Sequence, residues 1–183
     1  MTRPRIKFTV QDYMSTPEGT RFQLLDGEMV LAQTPDDKHQ AVVGALLVAL
    51  YQFAVQHRVG QVRVSPYDVV LSQYDVAQPD ILFVSNERAG IFTPANIQGA
   101  PDLVVEVISP SSAPYDRGYK RTLYSRTGVL EYWLVDPVGE TVAVLAREGD
   151  DLVPHATFGR NQELVSDLLP GFRCSLDQIF GQE

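Results

Sequence analysis

The run Leu103-Val104-Val105-Glu106-Val107-Ile108 constrains the fold more than any other stretch of the chain. Four of the five residues around Glu106 are β-branched, which favours a strand. Polar and apolar residues do not alternate here, so both faces of the strand need cover. That is the pattern of a central strand with helices or loops on each side. An ionised carboxylate in such a strand is costly unless it is paired or holds a metal. Glu106 is therefore half of a buried ion pair, a carboxylate near the solvent edge, or part of a site.

The 183 residues suit one domain spanning 1–183, with enough material for a real core. No apolar run approaches the roughly 20 residues of a membrane helix, and Met1 to Lys7 contain no apolar leader. The expectation is a cytoplasmic protein with no membrane partner. Cys174 is the single cysteine, which excludes an intrachain disulfide and a cysteine-based zinc site. His39, His57 and His155 lack metal-ligand spacing. A net charge of −8 argues against broad nonspecific binding to nucleic acid. It leaves room for a local basic patch and for a carboxylate site holding a divalent cation.

Taken in order, residues 9–16 read as a short helix capped by Thr9. Phe22–Leu25 and Glu28–Ala32 read as an N-terminal hairpin, because Asp26-Gly27 supplies the positive φ of a tight turn. A helix is expected from Lys38 to Gln56. Val42, Leu46, Ala49, Leu50 and Phe53 form its apolar stripe, and His39 points toward the protein body. Gly44 is expected to permit close packing against a strand. Gln61–Leu71 and Ala77–Val84 read as strands, with Asp80 entering the second just after Pro79. The stretch from Ser85 to Ala100 is long for a loop and is expected to contain a small helix or a function. After the Glu106 strand come a helix over Asp116–Arg126, a strand over Leu130–Val135 and a peripheral C-terminal hairpin over Thr141–Phe158. Leu168–Phe172 and Leu176–Phe180 are apolar patches expected to cover an edge of the sheet.

Sequential strands usually neighbour one another. If the Asp80 and Glu106 strands do so, their carboxylates converge and resist ionising together. A divalent cation relieves that repulsion, and oxygen donors suit Mg²⁺ or Mn²⁺.

Several short motifs occur together in this order. They are Leu24-Leu25-Asp26-Gly27-Glu28, His39-Gln40, Gln78-Pro79-Asp80-Ile81, Pro101 to Val107 with Ser109-Pro110-Ser111, Tyr115-Asp116 with Lys120, and Glu131-Tyr132-Trp133-Leu134-Val135-Asp136-Pro137. The set resembles the Uma2 family of endonucleases, within the PD-(D/E)XK nuclease superfamily, over nearly the whole chain. The resemblance implies an α/β fold with a restriction-endonuclease-like core (αβββαβ). Its central mixed sheet would be flanked by helices and extended by N-terminal and C-terminal β-hairpins. It also implies metal-dependent phosphodiester chemistry, with Asp80 and Glu106 matching the two motif acids. The motif lysine two residues after the second acid is replaced here by Ile108, and Lys120 on the next helix resembles its migrated substitute. Gln23 stands where the family would place an acidic residue.

The function expected from this is Mg²⁺- or Mn²⁺-dependent hydrolysis of nucleic acid, DNA ahead of RNA. Asp80 and Glu106 would hold the metal and Lys120 would stabilise developing negative charge. Glu28 is a candidate further metal contact, and His39 a candidate proton or phosphate contact. Arg117, Lys120 and Arg121, with Arg126 nearby, are the expected contacts to the phosphate backbone. The same arginines could equally form an ordinary solvated helix face. A homodimer is expected because the commonest closed assembly is twofold. The alternative is a noncatalytic nucleic-acid- or protein-binding module on the same fold. A two-carboxylate sugar hydrolase is a weaker third reading, since no aromatic-rich cleft is legible.

Overall fold

The computed structural model describes residues 6–17, 21–32 and 34–181. Residues 1–5, part of the segment read for a leader, lie outside the described residues. Helix α1 (Val10–Met14) begins with a capping box between Thr9 and Asp12, which satisfies two otherwise orphaned backbone donors. Strands β1 (Phe22–Leu25) and β2 (Glu28–Leu31) form the expected hairpin, with Asp26 at φ 52° and Gly27 at φ 76°.

Helix α2 runs from Asp37 to His57. The Asp36 carboxylate caps it by accepting from the His39 N–H at 2.8 Å. Strands β3 (Gly60–Val64), β4 (Val69–Ser72), β5 (Asp75–Ala77) and β6 (Ile81–Ser85) follow. Next come a short 3₁₀ helix over Asn86–Ile91, β7 (Ile97–Gln98) and β8 (Leu103–Val107). A wide π-helical turn over Tyr115–Lys120 leads directly into α3 (Arg121–Thr127). Strands β9 (Glu131–Asp136), β10 (Thr141–Glu148), β11 (Asp151–Gly159), β12 (Glu163–Val165) and β13 (Arg173–Ser175) precede α4 (Leu176–Phe180).

The central sheet is mixed, in the order β11-β10-β9-β8-β6-β3. The β8–β9 pair is parallel, and the other pairs of this sheet are antiparallel. A second sheet, β2-β1-β5-β4-β7, lies beside it, and β12 and β13 form a small pair. On one face of the central sheet, Val42, Leu46 and Leu50 of α2 pack with Val105, Trp133 and Val135. On the other face, Val104 and Ile108 pack with Tyr124 of α3 and with Tyr132 and Leu134 of β9. Every residue of β8 is buried, Glu106 included, as expected of a central strand covered on both faces. By the two-residue period Glu106 lies on the α3 side.

Five expectations need correction. The stretch 61–71 is two strands in two sheets, because Pro66 offers no N–H to a ladder. The stretch 77–84 likewise divides at Gln78-Pro79-Asp80 into the end of β5 and all of β6. The hairpin of β10 and β11 is not peripheral, since β10 pairs along β9 and extends the central sheet. Gly44 faces solvent, and nothing lies within 4 Å of where its Cβ would stand, so it packs against no strand. Finally, α2 is long and apolar enough by length and composition to cross a bilayer, although its inner face is part of the core.

Candidate functional site

Asp80 sits immediately before β6, where Pro79 ends the backbone ladder. Its side chain takes over the missing pairing: the Val107 N–H donates to Asp80 Oδ2 at 2.7 Å. Ile81 stands opposite Val105 in the β6–β8 register. One step further along, Asp80 comes opposite Glu106. Neighbouring strands thus bring together two acids that are 26 residues apart in the chain.

Glu106 is only 4% exposed. Its Oε1 accepts from the Tyr124 hydroxyl at 2.6 Å and from Lys120 Nζ at 2.9 Å. Burial pushes the Glu106 carboxyl up to about 8. The Lys120 charge and the Tyr124 hydrogen bond oppose that shift, while the charges of Asp116 and Asp80 add to it. Lys120, also 4% exposed, lies 3.0 Å from Asp116 Oδ1. Asp116 Oδ1 has no hydrogen-bond partner of good geometry, so this contact is Coulombic rather than directional. Burial works to strip the Lys120 proton, but Glu106 and Asp116 outweigh it and raise the ammonium above its ordinary range.

His39 reaches the site from the first turn of α2, with Nε2 3.3 Å from Asp80 Oδ2. Burial, the largest single influence, lowers its proton affinity. The hydrogen bond and charge of Asp80, the Val107 backbone and the Asp36 charge together raise it above the usual histidine value.

The π-helical turn sets this geometry. Asp116 and Lys120 both point inward from it, and the Tyr132 hydroxyl pins it by donating to the Asp116 carbonyl at 3.1 Å. A second buried node fixes the helix from outside. Asp75 accepts from Ser72 Oγ at 2.5 Å, Tyr119 Oη at 2.5 Å, Arg126 Nη2 at 2.8 Å and the Asp26 N–H at 2.9 Å. It ties the second sheet to Tyr119, next to Lys120, and to Arg126 near the end of α3. Burial acts to raise the Asp75 carboxyl, but these donors prevail and hold it below the usual range.

The structure therefore brings Asp80, Glu106, Lys120 and His39 together. It places Glu28 on β2, opposite Leu25 in the second sheet. Among the described residues no group of three or more His, Cys, Asp or Glu side chains is arranged to hold a metal, so Glu28 does not complete a three-ligand set with the two acids. Gln23, at the family's acidic position, accepts from the Gln78 N–H at 3.1 Å and anchors the segment leading to Asp80.

The Lys120 ammonium is buried between carboxylates, so, contrary to expectation, it does not dock a backbone lying on the surface; only a phosphoryl group drawn into the site could reach it. Arg117 is exposed and lies 3.4 Å from Asp136 at the end of β9, while Arg121 donates to the Leu152 carbonyl at 3.0 Å. With Arg126 and Arg147 they line a cleft of about 860 Å³ between α3 and the β10–β11 hairpin. Tyr124, Asp116 and Asp75 were not singled out as site residues from sequence. Tyr124 follows Lys120 by four residues, one helical turn, and belongs with Tyr115-Asp116 and Lys120 to the motifs that resemble the family, signals that could have flagged it.

Residues 10–177 match the family model Uma2, described as "Putative restriction endonuclease". The chain belongs to the Uma2 family. Among solved structures it is similar to a putative nuclease belonging to DUF820 from Anabaena variabilis ATCC 29413. That match has a TM-score of 0.78 at 17% identity, covering 95% of this chain and 98% of the other. It supports the restriction-endonuclease-like fold. A type IIG restriction endonuclease, BpuSI, matches at a TM-score of 0.41 and 14% identity, over 84% of this chain and 17% of its own; that likeness carries no argument. No curated protein matches. Family and fold together indicate a Uma2 nuclease of the restriction-endonuclease-like kind.

Proposed function

We propose that this Uma2 protein is a divalent-metal-dependent endonuclease that hydrolyses phosphodiester bonds of DNA. The observation that carries the reading is the meeting of Asp80 and Glu106 across β6 and β8, with Lys120 on the same carboxylate. The donor set fits Mg²⁺ or Mn²⁺. Mg²⁺ is commonly held by one or two carboxylates, with water and substrate phosphate filling the other positions, so a third protein ligand is not required. Burial is the main cause of the raised Glu106 carboxyl, and the charges of Asp116 and Asp80 add to it; a cation between Asp80 and Glu106 would offset the Asp80 contribution.

When bound, such an ion supplies Lewis-acid polarisation of a phosphoryl oxygen and a more acidic water. The residues of the chain do the rest. Asp80 is oriented by the Val107 N–H and by His39, both on Oδ2, which leaves Oδ1 as its candidate metal donor. Lys120, kept charged by Asp116 when Glu106 turns to a cation, stabilises negative charge developing on the phosphoryl group. His39, holding its proton more firmly than a free imidazole, donates to a phosphate oxygen. Arg117 and Arg121 steer the backbone toward this edge of the sheet, against the repulsion of a net −8 chain.

The test is cleavage of duplex and single-stranded DNA and of RNA, with Mg²⁺, Mn²⁺ or EDTA. The reading expects metal-dependent DNA cleavage that Asp80→Ala and Glu106→Ala abolish. Cleavage unchanged in both variants would remove these acids from the mechanism. Nucleic-acid binding without turnover under every condition would favour the noncatalytic module.

A further inference from the structure

From Gln40 to Gln56 helix α2 carries no charged residue. Its inner face is buried in the core, yet its outer face is uncharged and carries an apolar stripe flanked by the exposed Gln52 and Gln56. Val48, Tyr51 and Val55 are 53%, 56% and 57% exposed, and they follow Gly44 along one side of the helix. Gly44 has no role within its own chain, since nothing lies within 4 Å of the position its Cβ would take. A glycine in mid-helix costs about 0.5–1 kcal/mol relative to alanine. An uncharged surface with an apolar stripe interrupted by one costly glycine is suited to a second helix at close range.

We propose that this face binds a second copy of the chain, with the two α2 helices antiparallel about a twofold axis. The charges at the helix ends select that partner and that direction. Asp36 and Asp37 are exposed at the N-terminal end, and His57 and Arg58 at the C-terminal end. Antiparallel packing sets acid against base at both ends at once, whereas parallel packing sets like against like. Lys38 stands about 100° round the helix from Asp37 and so lies off the stripe. One register satisfies size as well as charge. With the axis between Leu47 and Val48, Tyr51 lies over Gly44 of the partner subunit, Val55 meets Gln40 of the partner subunit, and Asp37 meets Arg58 of the partner subunit. Such an interface is isologous, each contact occurring twice. It does not depend on the nuclease reading. If both hold, His39 on the same helix fixes the two Asp80–Glu106 sites relative to one another.

The experiment is the solution mass of the full chain by sedimentation equilibrium, with variants on and off the stripe. The wild type is expected to dimerise. Tyr51→Glu should weaken dimerisation about 100-fold or more, since it buries an unpaired charge. Val138→Glu, at an exposed position elsewhere, should leave it unchanged. Asp37→Arg should weaken the dimer, and adding Arg58→Asp should restore it. Val48→Cys, beside the axis, should form a covalent dimer on mild oxidation, with Cys174 buried and silent. A wild type still monomeric at about 100 μM, a dimer indifferent to Tyr51→Glu, or charge reversals that do not compensate would each overturn the proposal. So would co-sedimentation of the wild type with phosphatidylcholine vesicles that Tyr51→Glu abolishes, which would assign the stripe to a bilayer. Circular dichroism of each variant identifies a failure to fold, and the charge-reversal pair, at exposed helix ends, tests the register without touching the apolar stripe.

Discussion

Replacing Tyr124 by phenylalanine removes one oxygen from the centre of the site and leaves the ring packing in place. The hydroxyl donates to Glu106 Oε1 at 2.6 Å, and both side chains are buried. The edge-on contact with Tyr132, at 5.1 Å between ring centroids, does not involve the lost atom. The cost should depend on the charge of the acceptor. Burial pushes the Glu106 carboxyl well above its ordinary value, so its neutral form gains weight toward low pH and its ionised form toward high pH. A neutral hydrogen bond contributes about 0.5–1.5 kcal/mol and one to a charged group about 1.5–3 kcal/mol. Because the bond favours the ionised form, its loss raises the Glu106 carboxyl further. The stability gap between wild type and Tyr124→Phe therefore opens as pH rises through the wild-type value. For a chain of this size each kcal/mol shifts Tm by about 2–4 °C. Tm should fall by about 1–6 °C at pH 6 and about 3–12 °C at pH 9. Thermal unfolding of both proteins at the two pH values measures this. A gap equal or smaller at pH 9, or no gap at either, would refute the reasoning about how Glu106 is held.

Three further outcomes follow from the same structure. His39 holds its proton above its ordinary value when folded, so its stabilising effect is present below the unfolded value and lost as pH rises through the folded one; the stability difference between wild type and His39→Gln, from urea unfolding, should be larger at pH 6 than at pH 9. The Cys174 thiol is 8% exposed and pushed up to about 11 by burial, so a thiol reagent at pH 8 should label native protein slowly and urea-unfolded protein at once. Leu46→Ala, at a fully buried position of α2, should cost about 2–5 kcal/mol in a denaturant titration, through lost burial and the cavity left behind.

What could be read from the chain was local or strictly periodic. Asp26-Gly27 announced its hairpin because only a few residues tolerate positive φ. The stripe of α2 announced a helix, and His39 fell on its inner side. The meeting of Asp80 and Glu106 was legible because strands adjacent in sequence usually pair and side chains repeat every two residues. The breaks at Pro66 and Pro79 were not, since apolar runs destined for two different sheets look alike until the pairing is known. The π-helical turn that aims Asp116 and Lys120 at Glu106 has no marker in residue type. Asp75 carried no signal as a site residue, because its partners Tyr119 and Arg126 lie 44 and 51 residues away. Gly44 was misread because a mid-helix glycine does not by itself say which side of the helix it lies on, and here it faces solvent.

The most direct test of the account is a crystal of the protein grown with Mn²⁺ and measured at the manganese absorption edge. The account predicts an anomalous peak bonded at about 2.0–2.2 Å to both Asp80 and Glu106, with Lys120 drawn toward Asp116. Manganese bound elsewhere, or absent while Lys120 keeps its 2.9 Å contact with Glu106, would contradict it.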